Sequence, residues 1–287
     1  MSIPGNANPL LLASAAADAA AAGPIKSLRF NSAESAHLSR TPSSSGNRRT
    51  FTFSCWVKRS KLVACGSSGQ EIFKAGRSAM NFAPSDGPCD ALSFKADQSG
   101  IGPGSATNAV FRDFSAWFHV VYRIDTTQAT AADRVRIYVN GVEQTFHTAN
   151  YPSQNQELNI NQAGQTHYIG GQEYLDGYLA DIYMIDGSSL DPTSFGAFDS
   201  SGVWQAAAYS GTFGTNGFHL LDFANESTIG HDSSGNENDF TANNFFVIEG
   251  TATQLGVSGG TSTVTTPSSN SPTAIDFLVV AGGGGGT

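Results

Sequence analysis

The densest array of oxygen-bearing side chains in this 287-residue chain is Asp232-Ser-Ser-Gly-Asn-Glu-Asn-Asp239. Asp232, Ser234, Asn236, Asn238 and Asp239 set carboxylate, hydroxyl and amide oxygens at short alternating spacing around a glycine, which is the hard-ligand chemistry that calcium takes. The glycine does not stand where an EF-hand loop needs it, and Asp, Asn, Ser and Gly clusters also build ordinary turns by bonding their own backbone. A calcium site and a plain turn both stand open. A second chemistry belongs to the aromatic side chains Trp56, Tyr151, Tyr174 and Tyr178, whose flat faces can stack on sugar rings while a polar tip bonds a hydroxyl.

Catalysis is harder to find. Retaining glycoside hydrolysis needs two carboxylates about 5–5.5 Å apart. The most acidic strand-like segment carries Asp176, Asp181 and Asp186 at intervals of five, which sends alternate members to opposite faces and reads as strand-end and rim carboxylates. The histidines His37, His119, His147, His167, His219 and His231 are scattered, and a lone strand histidine such as His119 reads as a packed residue. No catalytic residue is assigned, and a binding or structural role is expected. Cys55, Cys65 and Cys89 are odd in number and lack metal-site spacing, so no disulfide framework is expected. Cys55 shares a face with Phe51, Phe53 and Val57 and reads as a small buried hydrophobe.

A net charge of −9 and a pI near 5.0 repel a phosphate backbone, so nucleic acid is not expected as a partner. No apolar stretch approaches the roughly 20 residues of a membrane span. The Leu10-to-Ala22 run is Ala-rich but lacks a preceding basic region; it reads as a short helix stopped by Gly23-Pro24, not as a signal peptide.

From Ser27 onward short apolar runs with period-two alternation are separated by Gly, Pro, Asn and Ser, the pattern of many antiparallel strands. Strands are expected near Leu28–Asn31, Phe51–Lys58, Glu71–Lys74, Ala91–Lys95, Ala109–Phe111, Trp117–Asp125, Arg134–Val139, Val142–Thr148, His167–Gly170 and Asp176–Ile185. Ten strands at this spacing predict an all-β, two-sheet antiparallel sandwich. Asn140-Gly141 suits a type I′ turn, which makes the strands on either side of it part of a three-stranded meander. Residues 188–215 read as an irregular or partly helical excursion that packs Trp204 on the sandwich.

Six segments occur in the order seen in laminin-G-like jelly rolls: Ser27-Leu-Arg-Phe-Asn, Phe51-Thr-Phe-Ser-Cys-Trp-Val-Lys, Trp117-Phe-His-Val-Val-Tyr, Tyr138-Val-Asn-Gly-Val, Tyr168-Ile-Gly-Gly and Leu175-Asp-Gly-Tyr-Leu-Ala-Asp-Ile-Tyr. The chain thus resembles the laminin-G-like, concanavalin-A-like family, which implies a jelly roll. The glucanases of that superfamily carry Glu-x-Asp-x-x-Glu on one strand, and this sequence has no such string. Ser39-Arg-Thr-Pro-Ser-Ser, Tyr151-Pro-Ser-Gln-Asn, Asp232-Ser-Ser-Gly-Asn and the glycine-rich tail resemble jelly-roll and fibre proteins of tailed bacteriophages. That likeness implies a virion component, a tail fibre or a capsid or tail appendage, that contacts a host surface glycan or other virion proteins. The alternative is a secreted bacterial carbohydrate-binding or adhesion module. In many family members a segment like Leu220 to Phe240 precedes the first strand, so its late position here implies a circular permutation, with Phe240–Ile248 pairing beside Ser27–Asn31.

The expected organisation is an N-terminal assembly segment at 1–26, a jelly roll at 27–249, and a Gly/Ser/Thr linker with a glycine-rich end at 250–287. The apolar stretch near Phe277–Val280 is expected to pair between subunits, and fibre analogy implies a homotrimer on the particle surface, or an extracellular location under the alternative. No cofactor is expected beyond the calcium considered above.

Overall fold

The computed structural model describes residues 26–64, 69–83, 87–96, 104–223 and 228–245. All lie within a compact unit that spans Met1–Ile248. In chain order the strands are β1 Ser27–Phe30, β2 His37–Arg40, β3 Thr50–Arg59, β4 Gln70–Ala75, β5 Ser78–Ala83, β6 Ala91–Lys95, β7 Ser105–Val110, β8 Phe118–Asp125 and β9 Val135–Val139. They continue with β10 Val142–Glu143, β11 Phe146–Thr148, β12 His167–Ile169, β13 Gly177–Asp186, β14 Gly196–Phe198, β15 Trp204–Ala206, β16 Phe218–Leu220 and β17 Thr241–Asn243. The only helical elements among the described residues are short 3-10 turns, and no helix there is long and apolar enough to cross a membrane.

Two antiparallel sheets face each other, as the alternation predicts. The first runs β1-β13-β3-β8-β9-β10, with β16 also on β13; the second runs β11-β7-β6-β5-β4-β12-β2-β17. β1 and β16 lie end to end along one edge of β13: Ser27–Phe30 pair with Gly177–Ala180, and Phe218–Leu220 with Ile182–Met184. In β3, period-two alternation turns Phe51, Phe53, Cys55 and Val57 into the space between the sheets, where all four are fully buried. Phe53 stacks on Phe73 of the opposite sheet with ring centroids 4.9 Å apart. Each such buried ring contributes about 1.5–3 kcal/mol of transfer free energy. The β9–β10 hairpin turns on Asn140 (φ 48°) and Gly141 (φ 77°), the positive dihedrals of the expected turn, and it completes the β8-β9-β10 meander.

Several expectations are corrected. Val142–Thr148 is two strands, β10 and β11, which join different sheets because the chain crosses over at Gln144-Thr145. The strand expected at Ala109–Phe111 begins at Ser105, and β2, β5, β14, β15 and β16 were not expected. The described part of the Phe240–Ile248 run does not pair beside Ser27–Asn31. β17 joins β2 in the other sheet, because Phe240 packs on Phe218 at 4.8 Å and Phe245 on Phe30 at 5.3 Å, closing the core from that side. The permutation as drawn from the sequence therefore fails. Cys89 is disulfide-bonded, against the expectation of unpaired cysteines, while Cys55 is free and buried. Residues 188–215 do form a packed excursion, with a 3-10 turn at Pro192–Ser194 and a hairpin of β14 and β15. The N-terminal helix, the Phe277–Val280 strand and Phe246–Ile248 lie outside the described residues.

Candidate functional site

The outward face of the first sheet carries a lateral row of side chains fixed by strand register. Arg29 on β1 stands opposite Tyr178 on β13, and Tyr178 stands opposite Lys58 on β3. Val57 pairs with Phe118, so the neighbour of Lys58 on the next strand line is Trp117. Alternation explains why these positions point outward: Leu28, Phe30, Val57, Phe118 and Leu179 beside them fill the core. All four row members are half-exposed. The Arg29 guanidinium lies over the Tyr178 ring at 5.2 Å, and the Trp117 and Tyr178 rings are 6.3 Å apart, tilted by 56°. Asp176 holds Arg29 at 2.7 Å, which fixes the cation over the ring and offsets its charge. Aromatic faces that alternate with cations suit a hydroxylated ring that presents C–H groups to the π faces and oxygens to the N–H donors.

One row further in, the face is covered. Trp56 pairs with Ala180 and His119, and the β14–β15 hairpin lays Trp204 over them. The Trp204 Nε1–H donates to His119 Nδ1 at 3.1 Å, so the His119 proton sits on Nε2 and donates to Ser54 Oγ at 2.7 Å. Burial depresses the His119 pKa to about 4, against a smaller pull upward from Asp181. Gly141 and Gly196 meet the indole so closely that a Cβ at either would lie 2.4 or 2.6 Å from its ring atoms. Trp56, read as a sugar-stacking residue, is thus interior at 2% exposure; the stripe opposite the core face is roofed by the hairpin.

The other aromatic candidates do not converge. Tyr174 is half-exposed in the turn after β12, beside His37, whose ring also neighbours Tyr168 at 5.8 Å. Tyr151 packs edge-on to Phe146 against the main core. Only Tyr178 joins a row of the kind described. The sequence shows its partners as single polar or aromatic positions in alternating strands, but only inter-strand register reveals that Arg29, Lys58 and Trp117 are its neighbours.

The oxygen-rich loop is a hydrogen-bond knot. Asp232 Oδ1 accepts from the backbone N–H of His219 and Ser234, and Oδ2 accepts from Ser234 Oγ and the Asn238 N–H, all at 2.8–2.9 Å. Asp239 Oδ1 accepts from the Asp232 N–H at 2.7 Å; Asn236 and Asn238 donate to the carbonyls of Gly214, Thr215 and Gly217. Asn238 Oδ1 also accepts from Arg40. The lone pairs that would face a cation are turned to N–H donors, the turn chemistry of Asx residues. Among the described residues no group of three or more His, Cys, Asp or Glu is placed to hold a metal.

The three strand aspartates also part company. Asp176 binds Arg29 and Ser32 at the rim. Asp181, at a positive φ of 49° in a β-bulge, meets His219 Nε2 at 2.7 Å. Asp186 is not a rim group; it is buried, accepting from the N–H groups of Asn47 and Asn216 and from Asn161 Nδ2.

Two packed antiparallel sheets joined in this order define a concanavalin-A-like β-sandwich. The chain belongs to the concanavalin A-like lectin/glucanases superfamily, whose family model matches residues 31–192, more than half its length. No curated protein matches it. Solved structures similar to it include the heptameric SAP-like pentraxin of Limulus polyphemus, at 18% identity and TM-score 0.40, covering 57% of this chain and 76% of that one. Domain 4 of AbnA, a GH43 extracellular arabinanase from Geobacillus stearothermophilus, is similar at 19% identity and TM-score 0.37, over 54% of this chain and 68% of that one. A candidate carbohydrate-binding protein from Bacteroides ovatus is similar at 14% identity and TM-score 0.46, over 76% of this chain and 58% of that one.

Proposed function

We propose that this domain is a non-catalytic glycan-binding module carried on the surface of a particle or cell, and that it holds sugar on the Arg29-Tyr178-Lys58-Trp117 row. The row carries the reading: it alternates two cations with two half-exposed aromatic rings across a rigid sheet. Asp176, Asp181 and Asp186 each serve a different partner, which supports binding without hydrolysis. In solution, Tyr178→Ala should weaken binding to immobilised polysaccharides at least tenfold, about 1.4 kcal/mol. Tyr151→Ala, against the core at the far edge, should leave it unchanged. Equal affinity of Tyr178→Ala and the parent would reject the site. Release of reducing sugar that a single Asp or Glu substitution abolishes would reject the non-catalytic role.

The proposed setting is a tailed-phage appendage, with residues 1–26 and 250–287 as assembly elements that contact other virion proteins in a homotrimer. The sequence likeness to phage proteins supports it. Removal of residues 1–24 should then leave the melting temperature unchanged and abolish particle incorporation. The disulfide at Cys89 favours the second reading, a secreted bacterial adhesion module, since disulfides persist in oxidising surroundings.

A further inference from the structure

The hairpin of β14 and β15 pairs only with itself and forms no ladder to either main sheet among the described residues. Its polar side-chain bonds are internal: Asp199 accepts from the N–H groups of Ser201 and Val203 and from Gln205 Nε2. The described side-chain hydrogen bond from residues 196–206 to the sandwich is Trp204 Nε1–H to His119. Its base is anchored separately, by Phe195 in the cluster of Tyr183 and Tyr209. A segment held over the sheet by one indole, the small Ala206 and one side-chain hydrogen bond opens at lower free energy than the laddered strands beneath it.

The floor under that indole is polar in an unusual way. Trp56 Nε1 is buried and has no hydrogen-bond partner. An orphaned buried donor costs free energy, which a hydroxyl placed beside it would recover. Beside it, at 5.2 Å between rings, His119 offers Nδ1 as an acceptor whose partner is Trp204 alone. With Trp204 withdrawn, an N–H donor and an imidazole acceptor stand side by side in an aromatic cleft, and Trp117 joins that cleft to the exposed row. A ring with an apolar face and adjacent hydroxyls matches this set, because one hydroxyl accepts from Trp56 and its neighbour donates to His119.

We propose that the space beneath Trp204 is a pyranose subsite contiguous with the Tyr178 row, in which Trp204 supplies from within the chain the flat face and N–H donor that a sugar supplies from outside. This rests on the glycan-binding reading and adds a buried position to it. The hairpin acts as a lid: Phe198, paired across the hairpin with Trp204 and edge-on to it at 4.9 Å, is 53% exposed, so the face that carries Trp204 keeps apolar surface with which to cover a bound ring.

The test uses the full-length chain and the methyl glycosides of glucose, galactose, mannose and N-acetylglucosamine. Trp204→Ala should bind at least one of them tenfold or more tightly than the parent, with quenching of Trp56 fluorescence, and adding His119→Phe should return binding to the parent level. A cooperatively folded Trp204→Ala protein that takes up indole but none of the four glycosides better than the parent overturns the proposal, since the space is then an apolar core cavity. Should Trp204→Ala fail to fold, Trp204 Nε1–H exchange in the intact chain decides. Exchange a hundredfold faster than that of the β3 and β8 amides supports a lid; equal protection overturns it. Polysaccharide binding that still depends on Tyr178 while either subsite test fails removes the subsite alone and leaves the exposed row standing.

Discussion

The two ends of the β3–β13 pair each bury one aspartate, and they compensate it in opposite ways. At the Arg59 end, Asp90 is ion-paired with Arg59 at 2.7 Å and Arg112 at 3.0 Å and accepts from the Val63 N–H. Burial alone would raise its pKa, but those three partners outweigh it and hold the carboxyl below the ordinary range. At the Phe51 end, Asp186 meets only neutral donors, the backbone N–H of Asn47 and Asn216 and the amide of Asn161, and burial pushes its pKa up. Neutral N–H groups satisfy the geometry of a carboxylate without cancelling its desolvation. A buried ion pair cancels the charge but leaves each partner dependent on the other.

The largest expected effect that sharpens this contrast is at Arg59, whose guanidinium is fully buried and lies 4.1 Å over the Phe82 ring. Arg59→Met should cost about 3–5 kcal/mol, because it strands a buried carboxylate. A denaturant midpoint within error of the parent's would show that Arg112 alone suffices for Asp90.

Next comes acid. His119 and His167 are buried neutral with pKa values near 4 against an ordinary 6.5, so the unfolded chain binds more protons between those limits. Stability is whole above pH 6.5, falls as the pH drops towards 4, and each histidine accounts for roughly 3 kcal/mol of that fall. Asp186 works the other way, since its raised pKa means that protonation favours the folded form. Melting curves from pH 7 to pH 4 should fall steadily, and His119→Phe should flatten them; a flat profile in the parent would show that neither ring is held neutral.

Asp232→Ala should cost about 1–3 kcal/mol, because it leaves the N–H groups of His219, Ser234 and Asn238 without their acceptor. The loss should be the same with and without a chelator. A calcium-dependent rise in the parent's melting temperature that disappears in the variant would restore the metal reading.

The strands were legible where alternation was strong and the turn chemistry specific, as in Phe51 to Val57 and at Asn140-Gly141. They were illegible where a strand carries one large apolar residue, as His37-Leu-Ser-Arg does, and where a continuous run such as Val142 to Thr148 changes sheets. The partner of a strand was equally hidden. The Phe240 run looked fit to complete the sheet of β1, yet Phe240 and Phe245 settle its place by packing on Phe218 and Phe30. At the candidate site, residue type pointed to Tyr178, which the sheet leaves half-exposed, and to Trp56, which it buries, since alternation shows that a side chain leaves the core face but not that a later hairpin will roof it. The Arg59–Asp90 pair joins positions 31 apart through tertiary packing, which no local pattern encodes.

The end-to-end placement of β1 and β16 on one edge of β13 also sets a clock for synthesis. Ser27–Phe30 leave the ribosome about 150 residues before Gly177–Ala180, the strand with which they pair among the described residues. At about 5–20 residues per second that is a wait on the order of 10 seconds, during which the nascent β1 segment stands without β13. The polar Arg29 between Leu28 and Phe30 is the kind of interruption that slows association of such a strand with neighbouring nascent chains.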